Sequence, residues 1–292
     1  MDFKARLRRY YILSKPGIVY ANIITAIAGY LYASQFDIAV STLAGLIVGF
    51  TSLIAGACAY NNYLDRNIDS HMQRTQKRGL VTGELTARQA LAYATIATSG
   101  GTLLLAVTQN SLTLLLAVIA FVDYVILYGW TKRTTVHGTL VGTISGSIPL
   151  VAGYTSVTGR LDLEAWLLLI LMTAWQMAHF YAIALYRLKD YKAAHIPVMP
   201  AVYGAAVTKP QTIVYILVFI GAAVSLVLFG QLGLVAGAVL AGAGGWWLVK
   251  ALKNYRTAAS DAWGRTVFLS SLTVMIGMSF CLAIGPVLPV FR

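Results

Sequence analysis

The sequence predicts an all-α polytopic membrane protein: one bundle of nine transmembrane helices with a cytoplasmic N-terminus. Three observations predict it. Hydrophobic residues fill 58% of the 292 positions and charged residues only 11%, with a mean hydropathy of +0.72. A soluble domain of this length would expose too little charge and too much apolar surface. Apolar windows of about 20 residues, enough to cross a hydrocarbon core ~30 Å thick, recur along the chain. The 22 Lys and Arg residues gather on alternate connections between those windows.

The first window, 14–34, opens at Lys15–Pro16–Gly17, a helix start because proline suits the first helical position. It heads a series of spans and so is not read as a cleaved signal peptide. The second, 40–61, ends in GLIVGFTSLIAGACAY. The third and fourth, 89–108 and 111–130, are parted only by TQN, and the fourth carries an unusual acid, Asp123. That acid either pairs with a helix neighbour or lines a polar cavity. Windows 138–158 and 164–186 flank TSVTGRLDLE, 210–229 and 232–250 flank FGQLG, and 266–288 completes the set. Backbone in lipid must satisfy its own hydrogen bonds, and runs this long do so as helices rather than barrel strands. No linker divides them, so residues 1–292 form one domain. Cys58 and Cys281 lie in apolar segments without CxxC spacing, which points to packing rather than a disulfide framework.

With the N-terminus inside, every Lys and Arg except Arg160 and Arg292 falls on an inner segment, the positive-inside pattern. The net charge of +12 therefore orients the chain and is not read as a nucleic-acid footprint. The outer connections are short. Two inner ones, 62–88 and 187–209, are long and share a face, so function is expected on the cytoplasmic side between helix ends.

The first of them continues NNYLDRNIDSHMQRTQKRG (61–79). If the helix runs on, Asn61, Asp65 and Asp69 span about 12 Å of its axis within an arc of roughly 80°. Two carboxylates one turn apart repel near a low-dielectric boundary. They suit a hard divalent cation, with Asn61 adding a neutral oxygen. Mg²⁺ prefers a few carboxylates plus phosphate oxygens, so phosphate is the natural third party. Arg74, Lys77 and Arg78 follow and are placed to clamp its remaining charge. The second segment, WQMAHFYAIALYRLKDYKAAHIPVMP (175–200), puts Gln176 and His179 on one helix face and brings Arg187, Lys189 and Asp190 to the inner boundary. An imidazole that deep needs a partner, either a neighbouring helix or a ligand. Lys132 and Arg133 read mainly as a topology anchor, with phosphate contact as a second role. No HExxH, P-loop, GxGxxG or CxxCH is present, so zinc protease, Walker ATPase, Rossmann and attached c-haem readings lack support.

NNYLDRNIDSHMQRT resembles the NxxxDxxxD motif of the UbiA superfamily of intramembrane prenyltransferases. KPGI (15–18), KRTTVHGTLVGTISG (132–146) and residues 175–200 narrow the resemblance to its protoheme IX farnesyltransferase, or haem O synthase, family. The likeness runs in order from about residue 10 to 265. It implies nine helices around a cavity, capped by inner loops 62–88 and 187–209, in a bacterial cytoplasmic membrane with the active site facing the cytoplasm. It implies farnesyl transfer from farnesyl diphosphate to a vinyl group of haem b, with handover of the product to an oxidase or haem A synthase. The expected site then has Asn61, Asp65, Asp69 and Asp190 as catalytic residues, with Mg²⁺ on Asp65, Asp69 and Asp190. Arg74, Arg78, Lys132, Arg133, Arg187 and Lys189 are expected at the diphosphate, and His179, Gln176 and Trp175 at the haem. Asn67 and Ala178 depart from the family's Asp and Pro, and Ile148–Pro149 stands where a Pro-Pro pair is common. A prenyltransferase acting on an aromatic quinone precursor is the nearest alternative, and a transporter a more distant one.

Overall fold

A computed structural model of the protein describes residues 3–73 and 75–288, apart from the side chains of Phe3, Ala5 and Arg6. Arg74, expected at the diphosphate, and Arg292 lie outside the described residues. All the secondary structure described is helical. Nine helices among the described residues are long and apolar enough to cross a membrane, the number the apolar windows predict.

A basic helix absent from the sequence reading, α1 (Phe3–Leu13), precedes the first span, α2 (Pro16–Ser34). Then comes α3 (Val40–Asp69), whose 30 residues rise about 45 Å at 1.5 Å each. It continues two turns beyond residue 61, so the condition on which the acid spacing rested is met. After the short α4 (Gly79–Thr82), α5 (Ala87–Thr108) opens with a reciprocal capping box between Thr86 and Gln89.

The fourth span is composite: α6 (Ser111–Val122), a π turn over Asp123–Leu127, and α7 (Tyr128–Thr134). Asp123 begins the π turn and accepts the Ser145 backbone N–H at 3.0 Å, so it pairs with a helix neighbour. The next pair is α8 (Gly138–Thr158) and α9 (Leu163–Tyr186), the latter N-capped by Asp162. Short helices α10 (Leu188–Ala193) and α11 (Met199–Val202) lead into α12 (Gly204–Phe229). α12 starts six residues before the predicted window because it absorbs Lys209–Pro210. Lys209 remains buried there by donating to the Tyr255 carbonyl at 2.9 Å. α13 (Leu234–Leu252) and α14 (Ser260–Ile284) close the chain.

The helices form a closed arrangement in which α3 packs on α5, α2 on α8, and α9 on α8, α12 and α14, while α14 returns to α2. The α2–α8 crossing depends on glycine. A Cβ at Gly153 would lie 2.7 Å from the Tyr30 backbone nitrogen, and one at Gly29 would strike the Leu150 carbonyl. Lipid supplies no hydrophobic force between helices, so backbone approach of this kind is what holds them by close packing. Outward residues such as Ile96, Val107, Val239 and Ile276 are apolar and exposed, as a lipid-facing surface requires.

Candidate active site

The bundle encloses a cavity of about 760 Å³. Its long wall is α3, from Phe50 to Asp69, a rise of about 28 Å. The two inner segments predicted to converge both reach it, through Met72 and Arg78 on one side and Tyr191 and Ile196 on the other.

At the inner end Asn61, Asp65 and Asp69 are buried, with exposures of 2%, 8% and 4%. The helix spacing explains why all three share the cavity face, and each carries its own cation. Lys15 Nζ donates to Asn61 Oδ1 at 2.5 Å. Lys132 Nζ pairs with Asp65 Oδ2, and Arg133 Nη2 with Asp65 Oδ1 at 2.8 Å. Arg78 Nη1 meets Asp69 Oδ2 at 2.5 Å. These pairings offset the repulsion expected between neighbouring buried carboxylates. Lys15, Arg78, Lys132 and Arg133 against two acids still leave this end positive, which suits a multiply charged anion.

Lys15, which the Lys-Pro-Gly stretch marks only as a helix start, also lines the cavity. It occupies the break between α1 and α2 with φ at 51°, a left-handed conformation rare outside glycine. Strain of this kind gathers at functional sites, and here it aims the ammonium at Asn61. Burial, reinforced by the charges of Arg78 and Lys132, pushes the ammonium down to about 8. Lys132, read mainly as an anchor, is a direct partner of Asp65.

Other expected residues lie elsewhere. Asp190, Arg187 and Lys189 are not in the cavity wall. The chain breaks helical geometry at Arg187 (φ −107°, ψ 24°) and restarts as α10. That restart turns Tyr191 inward, while Asp190, about 100° round the helix, faces elsewhere. Arg187 instead lies over the Tyr186 ring at 4.5 Å. Lys77 lines a separate small pocket with Arg9 and Glu84.

The opposite wall carries Trp175, Gln176 and His179, all three on the cavity. α9 runs unbroken through Ala178, where the family motif has proline. His179 stacks on Trp175 with centroids 4.8 Å apart and places Nδ1 2.7 Å from Ser271 Oγ on α14. Gln176 Nε2 donates to Ser147 Oγ at 2.8 Å. The expectation of a partner for this imidazole is met by Ser271, which no local signal marks because it lies 92 positions away.

A divalent hard cation fits the inner end by donor chemistry. Asp65, Asp69 and the Asn61 carboxamide present oxygens to one cavity, and Mg²⁺ is commonly held by one or two carboxylates with substrate phosphates. Among the described residues no group of three or more His, Cys, Asp or Glu is close enough to hold a metal by itself. Asp65 and Asp69 therefore supply only part of a shell.

Comparison with known proteins gives a consistent result. The model of the UbiA prenyltransferase family matches residues 22–272. Protoheme IX farnesyltransferase of Yersinia pseudotuberculosis is 41% identical over 95% of this chain and 95% of its own. Protoheme IX farnesyltransferase 2 of Chromobacterium violaceum is 43% identical over 96% and 93%. Among solved structures, digeranylgeranylglyceryl phosphate synthase superposes with a TM-score of 0.78 at 17% identity, covering 97% of this chain and 99% of that one. A UbiA homolog from Archaeoglobus fulgidus bound to DMAPP and Mg²⁺ superposes at 0.70 with 13% identity, covering 94% and 99%. At such identities these two likenesses speak to the fold.

Proposed function

The chain is a member of the UbiA prenyltransferase family, and on that premise we propose that it transfers the farnesyl group of farnesyl diphosphate to a vinyl group of haem b. Water adds in the same reaction, giving haem O and diphosphate. The names of the relatives at about 41% identity support the haem acceptor. One structural observation carries the reading: a single cavity joins an acid-and-base end, an apolar wall and an imidazole.

Farnesyl diphosphate enters with its charged head at the inner end and its tail along α3 toward Phe50 and Leu53. Asp65, Asp69 and the Asn61 oxygen would hold Mg²⁺. Bound there, Mg²⁺ supplies neutralisation of the negative charge that builds on the leaving oxygens. Lys15, Arg78 and Lys132 exchange their partners in the free protein for phosphate oxygens and stabilise the same charge. The C1–O bond of the farnesyl group breaks with its electron pair leaving on the diphosphate. The vinyl π pair of haem b then forms the new carbon–carbon bond. The cation left beside the ring is conjugated with the porphyrin, and water captures it, releasing a proton and giving the hydroxyethylfarnesyl group.

The apolar wall, with Phe50, Leu53, Met172 and Phe268, keeps water from the farnesyl cation before the vinyl group reaches it. His179 ligates the haem iron, with Trp175 and Gln176 beside the porphyrin. Segments 62–88 and 187–209 act as the cap through Met72, Arg78, Tyr191 and Ile196. The active site faces the cytoplasm of a bacterial inner membrane, and the product passes to an oxidase or haem A synthase.

The test is a choice of acceptor. Purified protein receives farnesyl diphosphate and Mg²⁺ with haem b in one tube and 4-hydroxybenzoate in another. Modified haem alone is the expected product. Prenylated aromatic acid alone would move the chain to the quinone branch.

A further inference from the structure

If His179 is a haem ligand, one ring nitrogen must offer a lone pair, and the hydrogen bonds around it decide which. Nδ1 lies 2.7 Å from Ser271 Oγ. The hydroxyl proton of Ser271 is committed at 2.6 Å to the Phe268 carbonyl, which can only accept. Toward the imidazole the serine oxygen must therefore accept, so the hydrogen of the neutral ring sits on Nδ1. The lone pair sits on Nε2. No described residue takes a hydrogen bond with Nε2.

The ring is also held in place. Trp175 stacks on it at 22°, and Phe268 approaches to 5.0 Å. Trp175 Nε1 donates to the Ser271 backbone carbonyl at 2.9 Å, tying the indole to the same turn of α14. Serine, imidazole and indole thus form one unit across the α9–α14 contact, with the imidazole on the cavity.

We propose that Ser271 is a positioning residue for haem binding: it fixes His179 as the Nδ1–H tautomer and presents Nε2 to the iron. The Nδ1–H···Oγ bond also raises the basicity of Nε2, as the outer partner of a metal-bound histidine does elsewhere. This rests on the reading of His179 as the iron ligand.

Haem b is titrated onto purified unmodified protein and onto Ser271→Ala, Ser271→Thr and His179→Ala, with resonance Raman spectra of the reduced complexes. Ser271→Ala retains the backbone carbonyl that Trp175 uses, and alanine suits a helix interior, so the fold is expected to stand. Its unfolding midpoint is measured alongside. Ser271→Ala is expected to bind haem b roughly 10- to 100-fold more weakly, with the iron–histidine stretch at lower frequency, and Ser271→Thr to restore both. An alanine variant with unchanged affinity and unchanged stretch overturns the role of Ser271 while leaving His179 as ligand. An unmodified protein without an iron–histidine stretch, or a stretch that survives in His179→Ala, overturns the ligand reading and this proposal with it. Formation of farnesylated haem by the same preparations is scored separately, so failure of the proposed reaction is told apart from failure of the ligand.

Discussion

Lys15 and Asp65 are the two residues at which the proposed chemistry is most open to test. Burial places the Lys15 ammonium at about 8, below the ordinary lysine value, because its charged form is poorly solvated between α1 and α2. The charge is largely present at pH 7 and fades as pH rises through 8 in the free protein. A dianionic or trianionic head group binds the charged form, so kcat/KM for farnesyl diphosphate should fall as pH rises above 8. Lys15→Arg keeps its charge throughout and should flatten that limb; a limb unchanged in the arginine variant would assign it to another group. Asp65 is held by Lys132 and Arg133 until substrate arrives. Asp65→Asn should lower kcat roughly 100-fold or more, because it weakens the hold on the cation that neutralises the developing charge. KM for farnesyl diphosphate should stay level or drop, because Lys132 is freed for phosphate. A raised KM with normal kcat would make Asp65 a ground-state binding residue instead. The set Asn61, Asp65 and Asp69 was legible because residues four apart share a helix face. Lys15 was hidden by its helix-start signature, and Ser271 by sitting in a serine pair on an apolar helix far along the chain.

Among elements, the length of α3 matters most. Hydropathy alone ends that span near residue 61, whereas hydrogen bonding carries the helix to Asp69, so the acids stand on a rigid rod rather than a loop. Hydropathy also placed the start of the α12 span at residue 210, whereas the helix begins at Gly204 and buries Lys209 against the Tyr255 and Ala258 carbonyls. α10 was out of reach for a different reason: its axis depends on the break at Arg187, and spacing counted from α9 cannot place Asp190 beyond it. The α2–α8 crossing gives the sharpest prediction at this scale. Gly153→Ala forces a Cβ onto the backbone of Tyr30, which cannot rotate away. Overpacking of this kind costs about 2 kcal/mol, and the midpoint of thermal unfolding in detergent should fall by several degrees. Gly221→Ala, inside α12 where a Cβ meets nothing within 4 Å, serves as the control and should not lower it.

For the whole molecule, the nine spans found among the described residues were legible because lipid allows a chain few alternatives. The distribution of Lys and Arg adds an orientation that can be checked. Single cysteines at Asp37 or Gly159 should react with an impermeant thiol reagent from outside intact cells, and one at Asn254 only after the membrane is opened. The reverse pattern would invert the topology and put the acid end on the outer face. The cavity was implied only by the family resemblance and by no periodicity, since its lining is assembled from α2, α3, the fourth span, α8, α9 and α14. It is the centre of the functional reading: one chamber in which Asp65 and Asp69 govern departure of the diphosphate while the haem vinyl group receives the prenyl chain. The most direct test is mass analysis of haem extracted after incubating haem b, farnesyl diphosphate and Mg²⁺ with the unmodified protein and, beside it, with Asp65→Asn and Asp69→Asn. Hydroxyethylfarnesyl haem from the unmodified protein, with little or none from either variant, is the expected result. Equal yields from all three would contradict it, because the reaction would then proceed without the acids of α3.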